Sequence, residues 1–444
     1  PRSLVQYLDT YVIGQTKAKK VLAVGVWNHY VRVANNLNLA RRERAREAME
    51  ELRKKLEEQA VPPQVAPLSV PYDTTHSSIP ISSASPGSLP FFEKSNLMLL
   101  GPTGSGKTLL LRTLAQALNV PFIHLDATPF TMAGYVGEDV ESIVHRLMVE
   151  SNWDVSRAQM GIVVIDEVDK LAKRSAGGGG EGGGGSSGKD VSGEGVQQAL
   201  LRILEGTVIS VTDKSGSNDK SGGGIANEGW WNSKGGPGGT TYHVDTSSIL
   251  FVLSGAFVGL EKIISDRLAK ESSMKAAKEK GRKTAEEGAT NGVLDQQMEK
   301  EDLDQNKKDD LYEQAEPIDL QNYGLIPEFI GRIPVMASLR SLTTDDLIRV
   351  LKEPKNALLS QYKSLFSASK VEFGITSKAI RSIASQAVDK GTGARGLRRI
   401  LESRLLDAFY SSPDSSVKYV LLDKKAADGK GEVKLFSRGG KVTF

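Results

Sequence analysis

Gly101-Pro102-Thr103-Gly104-Ser105-Gly106-Lys107-Thr108 spells G-x-x-x-x-G-K-[ST], and these residue types suit one task, holding a polyphosphate. Glycines let successive backbone N–H groups turn inward with no Cβ in the way. With the positive end of a following helix, those groups make an anion cradle. In this reading Lys107 reaches the β- and γ-phosphates, Thr108 holds Mg²⁺ through its hydroxyl, and Leu109 opens the helix behind them. Further along, Gly161-Ile162-Val163-Val164-Ile165 runs straight into Asp166-Glu167. Asp166 can join the Mg²⁺ shell, and Glu167 can orient a water and take its proton. Two adjacent acids are commonplace; downstream of a phosphate loop they point to hydrolysis. ATP and Mg²⁺ are the expected cofactors.

The elements that must position these groups are short apolar strands. Leu97–Leu100 reads as a buried strand feeding the glycine loop, and Leu109–Leu118 as the helix leaving it. An all-apolar strand ending in two acids belongs at the centre of a parallel sheet, its carboxyl end at the ligand crevice. Strands near Val120–Leu125 and Ile249–Leu253 complete the pattern, the latter ending at Ser254-Gly255-Ala256-Phe257. The fold class is therefore α/β, with a smaller unit of helices and short strands after Ser341.

Around this core the chain divides by composition. Leu4–Asn36 reads mostly helical with a break at Asp9–Gln15, where Val12 and Ile13 form a small apolar turn. That turn suits an adenine base as well as it suits an ordinary core. Arg41–Gln59 is a charged helical stretch, and Val61–Pro90 a Pro- and Ser-rich insertion expected to be disordered. The expected domains are 1–40, the insertion 41–92, a large unit 93–341 and a small unit 342–444. Glycine-rich or charged inserts fall at 177–188, 212–239 and 269–317. Trp230-Trp231, inside the second, reads equally as a contact point or a hydrophobic anchor.

Composition narrows the function. A length of 444 residues implies more than one domain. A net charge of +3 is too mild to imply a nucleic-acid partner. The absence of cysteine excludes disulfides, zinc knuckles, Fe–S ligation and thiol catalysis. No apolar run approaches the roughly 18 residues of a membrane span. Pro1 stands where an initiator Met would, so a piece of a longer chain is expected.

Together these residues resemble the ClpX branch of the AAA+ ATPases. The stretches that carry the resemblance are Tyr11–Gln15, Gly101–Thr108, Ala133–Val140, Ile165–Lys170, Asp190–Gly206, Gly324–Pro334 and Thr392–Leu397, in the family's order. HslU unfoldases share the phosphate loop and a Gly-Tyr-Val-Gly loop, but Asp190–Gln198 and Gly393–Arg398 fit ClpX better. The resemblance implies an AAA+ P-loop domain followed by a smaller, mostly helical α+β domain. It also implies a homo-hexameric ring with ATP sites between subunits and a pore that pulls on polypeptide. Gly134, Tyr135, Val136 and Gly137 match the pore loop. Glycines would give a mobile hairpin there, and an aromatic beside a β-branched residue a sequence-tolerant grip. Outside the family Tyr135 would read as an ordinary core or surface aromatic.

Arg332 matches the arginine finger that reaches a neighbour's γ-phosphate, a task suited to an always-charged planar fork. A lone Arg would instead read as a surface salt bridge. Arg395 matches the sensor arginine of the small domain, and Val12 and Ile13 match adenine-pocket positions. Ser254 falls where the family's first sensor strand ends.

Three departures from the family shape the expectation. Without cysteine the family's N-terminal zinc domain cannot be built from this chain. No Ile/Leu-Gly-Phe tripeptide occurs in Leu268–Pro317, which argues against docking to the ClpP peptidase. No basic Arg-Lys-His cluster lies between Val211 and His243, so recognition of the bacterial degradation tag is not expected. This combination resembles the fungal mitochondrial members of the branch. It implies a mitochondrial matrix protein acting on unfolded or tagged clients, with a haem-biosynthetic synthase as a client by analogy. The expected activity is ATP-driven protein unfolding without ClpP. The alternatives are the unfoldase subunit of a ClpXP-type protease and a nucleic-acid motor on the same ATPase core. Against the motor, Ala133–Asp139 has two acids and no basic residue.

Overall fold

In a computed structural model the residues described are 1–59, 93–131, 138–172, 193–213, 240–283, 311–413, 415–437 and 440–442. The N-terminal segment is helical, Arg2–Asp9 (α1) and Thr16–Gln59 (α2). The two helical stretches read separately from the sequence are thus one helix from Thr16 onward. Leu37–Ala40, between them, holds no Pro or Gly that could stop it.

A set of alternating strands and helices follows. It comprises Leu97–Leu100 (β1), Lys107–Leu118 (α3), Phe122–Asp126 (β2), Phe130–Thr131 (β3), Glu138–Asp139 (β4), Ser142–Glu150 (α4), Val155–Gln159 (α5) and Ile162–Asp166 (β5). Next come Gly193–Glu205 (α6), Val208–Thr212 (β6), Thr241–Asp245 (β7), Leu250–Gly255 (β8) and Leu260–Lys283 (α7). Short helices Pro317–Tyr323 and Pro327–Gly331 lead into Val335–Ser338 (β9). Five strands form one all-parallel sheet in the order β2-β5-β8-β1-β9. Every residue of β1 and β8 is buried, as a sheet covered on both faces requires. β6 and β7 pair antiparallel in a separate ladder that the sequence reading passed over.

The C-terminal unit has its own core, with Leu347, Ile383 and Leu401 fully buried. Phe366 stacks on Phe409 at 4.2 Å and on Phe373 at 5.2 Å. Its sheet, Glu372–Ile375 (β10), Val417–Leu422 (β11), Lys434–Ser437 (β12) and Gly440–Val442 (β13), is parallel at β10–β11 and antiparallel beyond. Thr343 and Asp346 cap its first helix reciprocally. By internal packing the chain divides into two compact units, residues 1–25 with 95–444, and residues 26–94. No helix among the described residues is long and apolar enough to cross a membrane.

Candidate functional site

The parallel sheet sends the ends of β1, β5 and β8 out at one edge. β1 and β8 run in register from Leu97↔Val252 to Leu100↔Gly255, and β5 pairs β8 through Ile165↔Leu253. Gly101, Asp166 and Ser254 are therefore neighbours although they lie far apart in the chain.

Beyond β1 the backbone of Gly104 and Gly106 is left-handed, at φ +79° and +94°. Lys107, the first residue of α3, is buried. Its Nζ donates to the carbonyls of Gly101 at 2.7 Å and Pro102 at 3.0 Å. Burial pushes its pKa below the ordinary lysine value; the carboxylates of Asp166 and Asp169 oppose that shift and the charge of Arg395 adds to it. Ser105 is buried and its hydroxyl donates to the Pro102 carbonyl at 2.8 Å. Thr103 and Leu109 are exposed, and Thr108 is half-buried.

Asp166 is the most heavily bonded acid of the site. Oδ1 accepts from the Ser254 hydroxyl at 2.6 Å and from the Glu167 N–H at 2.9 Å. His124 Nε2 lies 3.4 Å from Oδ2. Burial alone would raise this carboxyl. The bonds from His124, Ser254 and the Glu167 N–H, with the charge of Lys107, instead hold it well below the usual carboxylate range. An ionised carboxylate beside a phosphate loop suits Mg²⁺, which takes one or two protein oxygens plus phosphates rather than an all-protein cage. No cluster of three or more His, Cys, Asp or Glu able to hold a metal occurs among the described residues. Glu167 is exposed and left-handed at φ +58°. Such strain in a non-glycine residue concentrates at functional sites.

Two further residues belong to this edge and were not found in the sequence. His124 arrives from β2, where Asp126 pairs Asp166 and His124 pairs Val164. Asp169 is buried and accepts from the Ala256 N–H at 3.3 Å and Lys170 Nζ at 3.2 Å. Its position one short turn past Asp166 was the available signal.

The small unit touches the loop directly. Ala394 N–H donates to the Gly104 carbonyl at 3.2 Å, and a Cβ on Gly104 would lie 2.5 Å from the Thr392 carbonyl oxygen. Arg395 is thus carried on the first turn of the helix Gly393–Ser411, and its charge acts on Lys107. Val12 and Ile13 are buried, and Lys19 Nζ donates to the Val12 carbonyl at 2.6 Å. The same segment meets the small unit where Lys355 N–H donates to the Thr10 carbonyl at 3.1 Å.

Arg332 is not brought to this edge. It follows the helix Pro327–Gly331 and precedes β9, whose first residue Val335 pairs Leu97, the first of β1. The length of β1, about 13 Å at some 3.3 Å per residue, separates it from Gly101. Its Nε donates to Glu205 Oε1 at 2.9 Å, and its carbonyl accepts from Asn96 Nδ2 at 2.9 Å. Gly134, Tyr135, Val136 and Gly137 lie outside the described residues, as do Trp230 and Trp231. The two strands bracketing the former, β3 and β4, pair parallel at Phe130↔Glu138.

Residues 93–336 match the AAA domain (Cdc48 subfamily), and 342–414 match the C-terminal, D2-small domain of ClpB protein. The chain is 40% identical over 440 residues to the ATP-dependent clpX-like chaperone, mitochondrial, of Saccharomyces cerevisiae. That alignment covers 97% of this chain and 82% of the yeast protein. It is 39% identical over 439 residues to the ATP-dependent Clp protease ATP-binding subunit ClpX of Treponema denticola, covering 98% of this chain and 83% of the relative.

Proposed function

This chain belongs to the ClpX-type AAA+ chaperones, which hydrolyse ATP, and from that premise we propose that it is a ring-forming protein unfoldase whose ATP sites are shared between neighbouring subunits. One observation carries the reading. Lys107, Asp166, Glu167 and Ser254 converge at the carboxyl edge of the sheet, while Arg332 stands at the amino edge of the same sheet. A chain so built holds most of a hydrolytic site at one end and the missing cation at the other. A neighbour's Arg332 would complete it, as in a closed heterologous ring.

The roles follow from chemistry. The N–H groups of Gly101–Thr108 and the Lys107 ammonium hold the polyphosphate, with Val12 and Ile13 against the base. Thr108 and Asp166 would hold Mg²⁺, which when bound would neutralise charge on the phosphates. Ser254 keeps Asp166 ionised and oriented through its 2.6 Å bond. Glu167 takes the proton of the water that adds to the γ-phosphorus as the bond to the ADP oxygen breaks. The partner subunit's Arg332 spreads the charge developing on the transferred group. Arg395 carries the change in phosphate charge to the small unit, which rests on Gly104.

Force on a client would come from Tyr135, between the glycines at 134 and 137. We place the protein in the mitochondrial matrix, by its likeness to the yeast relative, with a haem-biosynthetic synthase among its clients by analogy. The missing Ile/Leu-Gly-Phe tripeptide favours action without ClpP. The second reading, an ATP-binding subunit of a Clp protease, is favoured by the Treponema relative's description.

The deciding experiment supplies ATP, a tethered fluorescent domain and a mitochondrial ClpP, and follows fluorescence and peptide release together. Unfolding without peptide release is expected, and unfolding with release establishes the second reading. Tyr135→Ala should keep ATP turnover and lose unfolding; full-rate unfolding in that variant removes Tyr135 from the traction role.

A further inference from the structure

Helix α6 spans the distance between the two halves of the proposed shared site. Gln197, in its second turn, is fully buried. Both ends of its amide are used: Nε2 donates to the Leu171 carbonyl at 2.8 Å, and Oε1 accepts from the Ile326 N–H at 2.9 Å. The orientation of the amide is forced, since a carbonyl must face the nitrogen and an N–H the oxygen. Leu171 closes the turn Val168–Leu171 that begins directly after Glu167. Ile326 caps the helix Pro327–Gly331, and Arg332 is the next residue.

The far end of α6 holds the same segment again. Glu205, its last residue, accepts from Arg332, and Asn96 Nδ2 donates both to the Leu204 carbonyl at 3.3 Å and to the Arg332 carbonyl at 2.9 Å. The first residue of α6 is equally confined, because a Cβ on Gly193 would stand 2.8 Å from the Leu171 carbonyl oxygen. An amide bonded to backbone at both ends and sealed from water acts as a spacer of fixed length. No apolar side chain can satisfy both groups.

We propose that Gln197 is a positioning residue of the hydrolytic reaction. Its buried amide fixes the turn behind Glu167 to the segment that carries Arg332. Glu167, serving its own subunit's site, and Arg332, offered to the neighbour's, then move as one piece. The inference rests on the reading that Arg332 acts in trans. A displacement of the Glu167 turn, as phosphate is released, would pull Ile326 and so withdraw Arg332 from the adjoining site. Gln197 neither touches nucleotide nor changes charge.

The test isolates the effect on the neighbour. Subunits carrying Glu167→Gln cannot hydrolyse but present an intact Arg332, and subunits carrying Arg332→Ala have an intact hydrolytic edge. Co-assembled, they should regain turnover that neither shows alone. A double variant, Glu167→Gln with Gln197→Glu, then replaces the first partner. Glutamate keeps the acceptor for Ile326 N–H but turns a second oxygen toward the Leu171 carbonyl, cutting the tether on one side only. Complementation is expected to fall at least ten-fold, with the KM for ATP unchanged and sedimentation showing intact rings. Gln197→Met, which removes both bonds at similar volume, serves if the Glu variant does not assemble, with the same expectation. Undiminished complementation by assembled rings of either variant overturns the role of Gln197 while leaving trans action intact. Failure of the Glu167→Gln and Arg332→Ala pair to complement at all overturns trans action, and the proposal falls with it.

Discussion

Alanine at Gly391 and at Gly393 should have different consequences, although the two glycines share a backbone conformation. Their φ values are +61° and +55°, so a side chain brings about the same left-handed penalty at each, about 1–2 kcal/mol. At Gly391 nothing lies within 4 Å of the added Cβ. At Gly393 it would sit 2.9 Å from the Gly104 carbonyl oxygen and 3.1 Å from the carbonyl carbon. Those are backbone atoms of the phosphate loop, and the Thr392 carbonyl confines Gly104 in turn. Crowding of this kind costs about 1–3 kcal/mol while the two parts stay docked, and separation relieves it only by giving up the hydrogen bond from Ala394 to Gly104. The excess for Gly393→Ala over Gly391→Ala is then about 1–3 kcal/mol, or roughly 5- to 150-fold in the docking equilibrium. The assay is ATP turnover beside thermal melting for both variants. Gly391→Ala should melt slightly lower and turn over ATP within about two-fold of the parent, since only local strain of about 1 kcal/mol is added. Gly393→Ala should lose turnover by about five-fold or more, because Arg395 leaves the loop with its helix. Equal turnover in the two variants would refute the reasoning that this contact transmits nucleotide state.

Two further outcomes follow from charges. Arg332→Ala breaks only a half-exposed pair with Glu205, worth at most about 1 kcal/mol, so melting should barely change. Turnover in the assembled protein should fall about 10³-fold or more if Arg332 acts as a finger, and a modest loss matched by a lower melting point would return it to a structural role. Glu313, bonded by Lys17 and paired with Arg340 at 3.0 Å, is held below the usual carboxylate range, chiefly by Lys17. Its stabilisation is therefore complete above the ordinary glutamate value near pH 4.3 and lost as pH falls through the depressed native value. The melting difference between parent and Glu313→Gln should be constant from about pH 6 to 8 and close below about pH 4; a difference that widens in acid would contradict the ion pairing.

Much of the hydrolytic edge was legible because apolar runs met polar residues abruptly. Leu97–Leu100 into Gly101 and Ile162–Ile165 into Asp166 can only be central strands of a sheet buried on both faces, and such strands end at the ligand crevice. The strand end at Ser254 was legible in the same way, but Ser254 itself was singled out only by the family resemblance; its hydroxyl donates to Asp166 at 2.6 Å. The rest depended on register. His124 meets Asp166 only because β2 pairs β5 with Asp126 opposite Asp166, a relation across some forty positions that no local spacing records. Gln197 carries no local signal that sets it apart from the other polar residues of Gly193–Glu205, and its burial becomes evident only with Leu171 and Ile326 on either side. The β6–β7 ladder was hidden for a related reason, since its two strands are brought together across a long glycine-rich stretch. For Arg332 the sequence offered a motif match only; its place at the amino edge, away from its own phosphate loop, follows from the β1–β9 register.

If hydrolysis needs two copies of the chain, turnover per chain must depend on dilution. Nucleotide binding by the Gly101–Thr108 loop should persist at every concentration, because all its groups belong to one chain. Turnover per chain should fall toward zero as sedimentation shows the assembly coming apart. Turnover per chain that stays constant down to the isolated monomer would contradict the account.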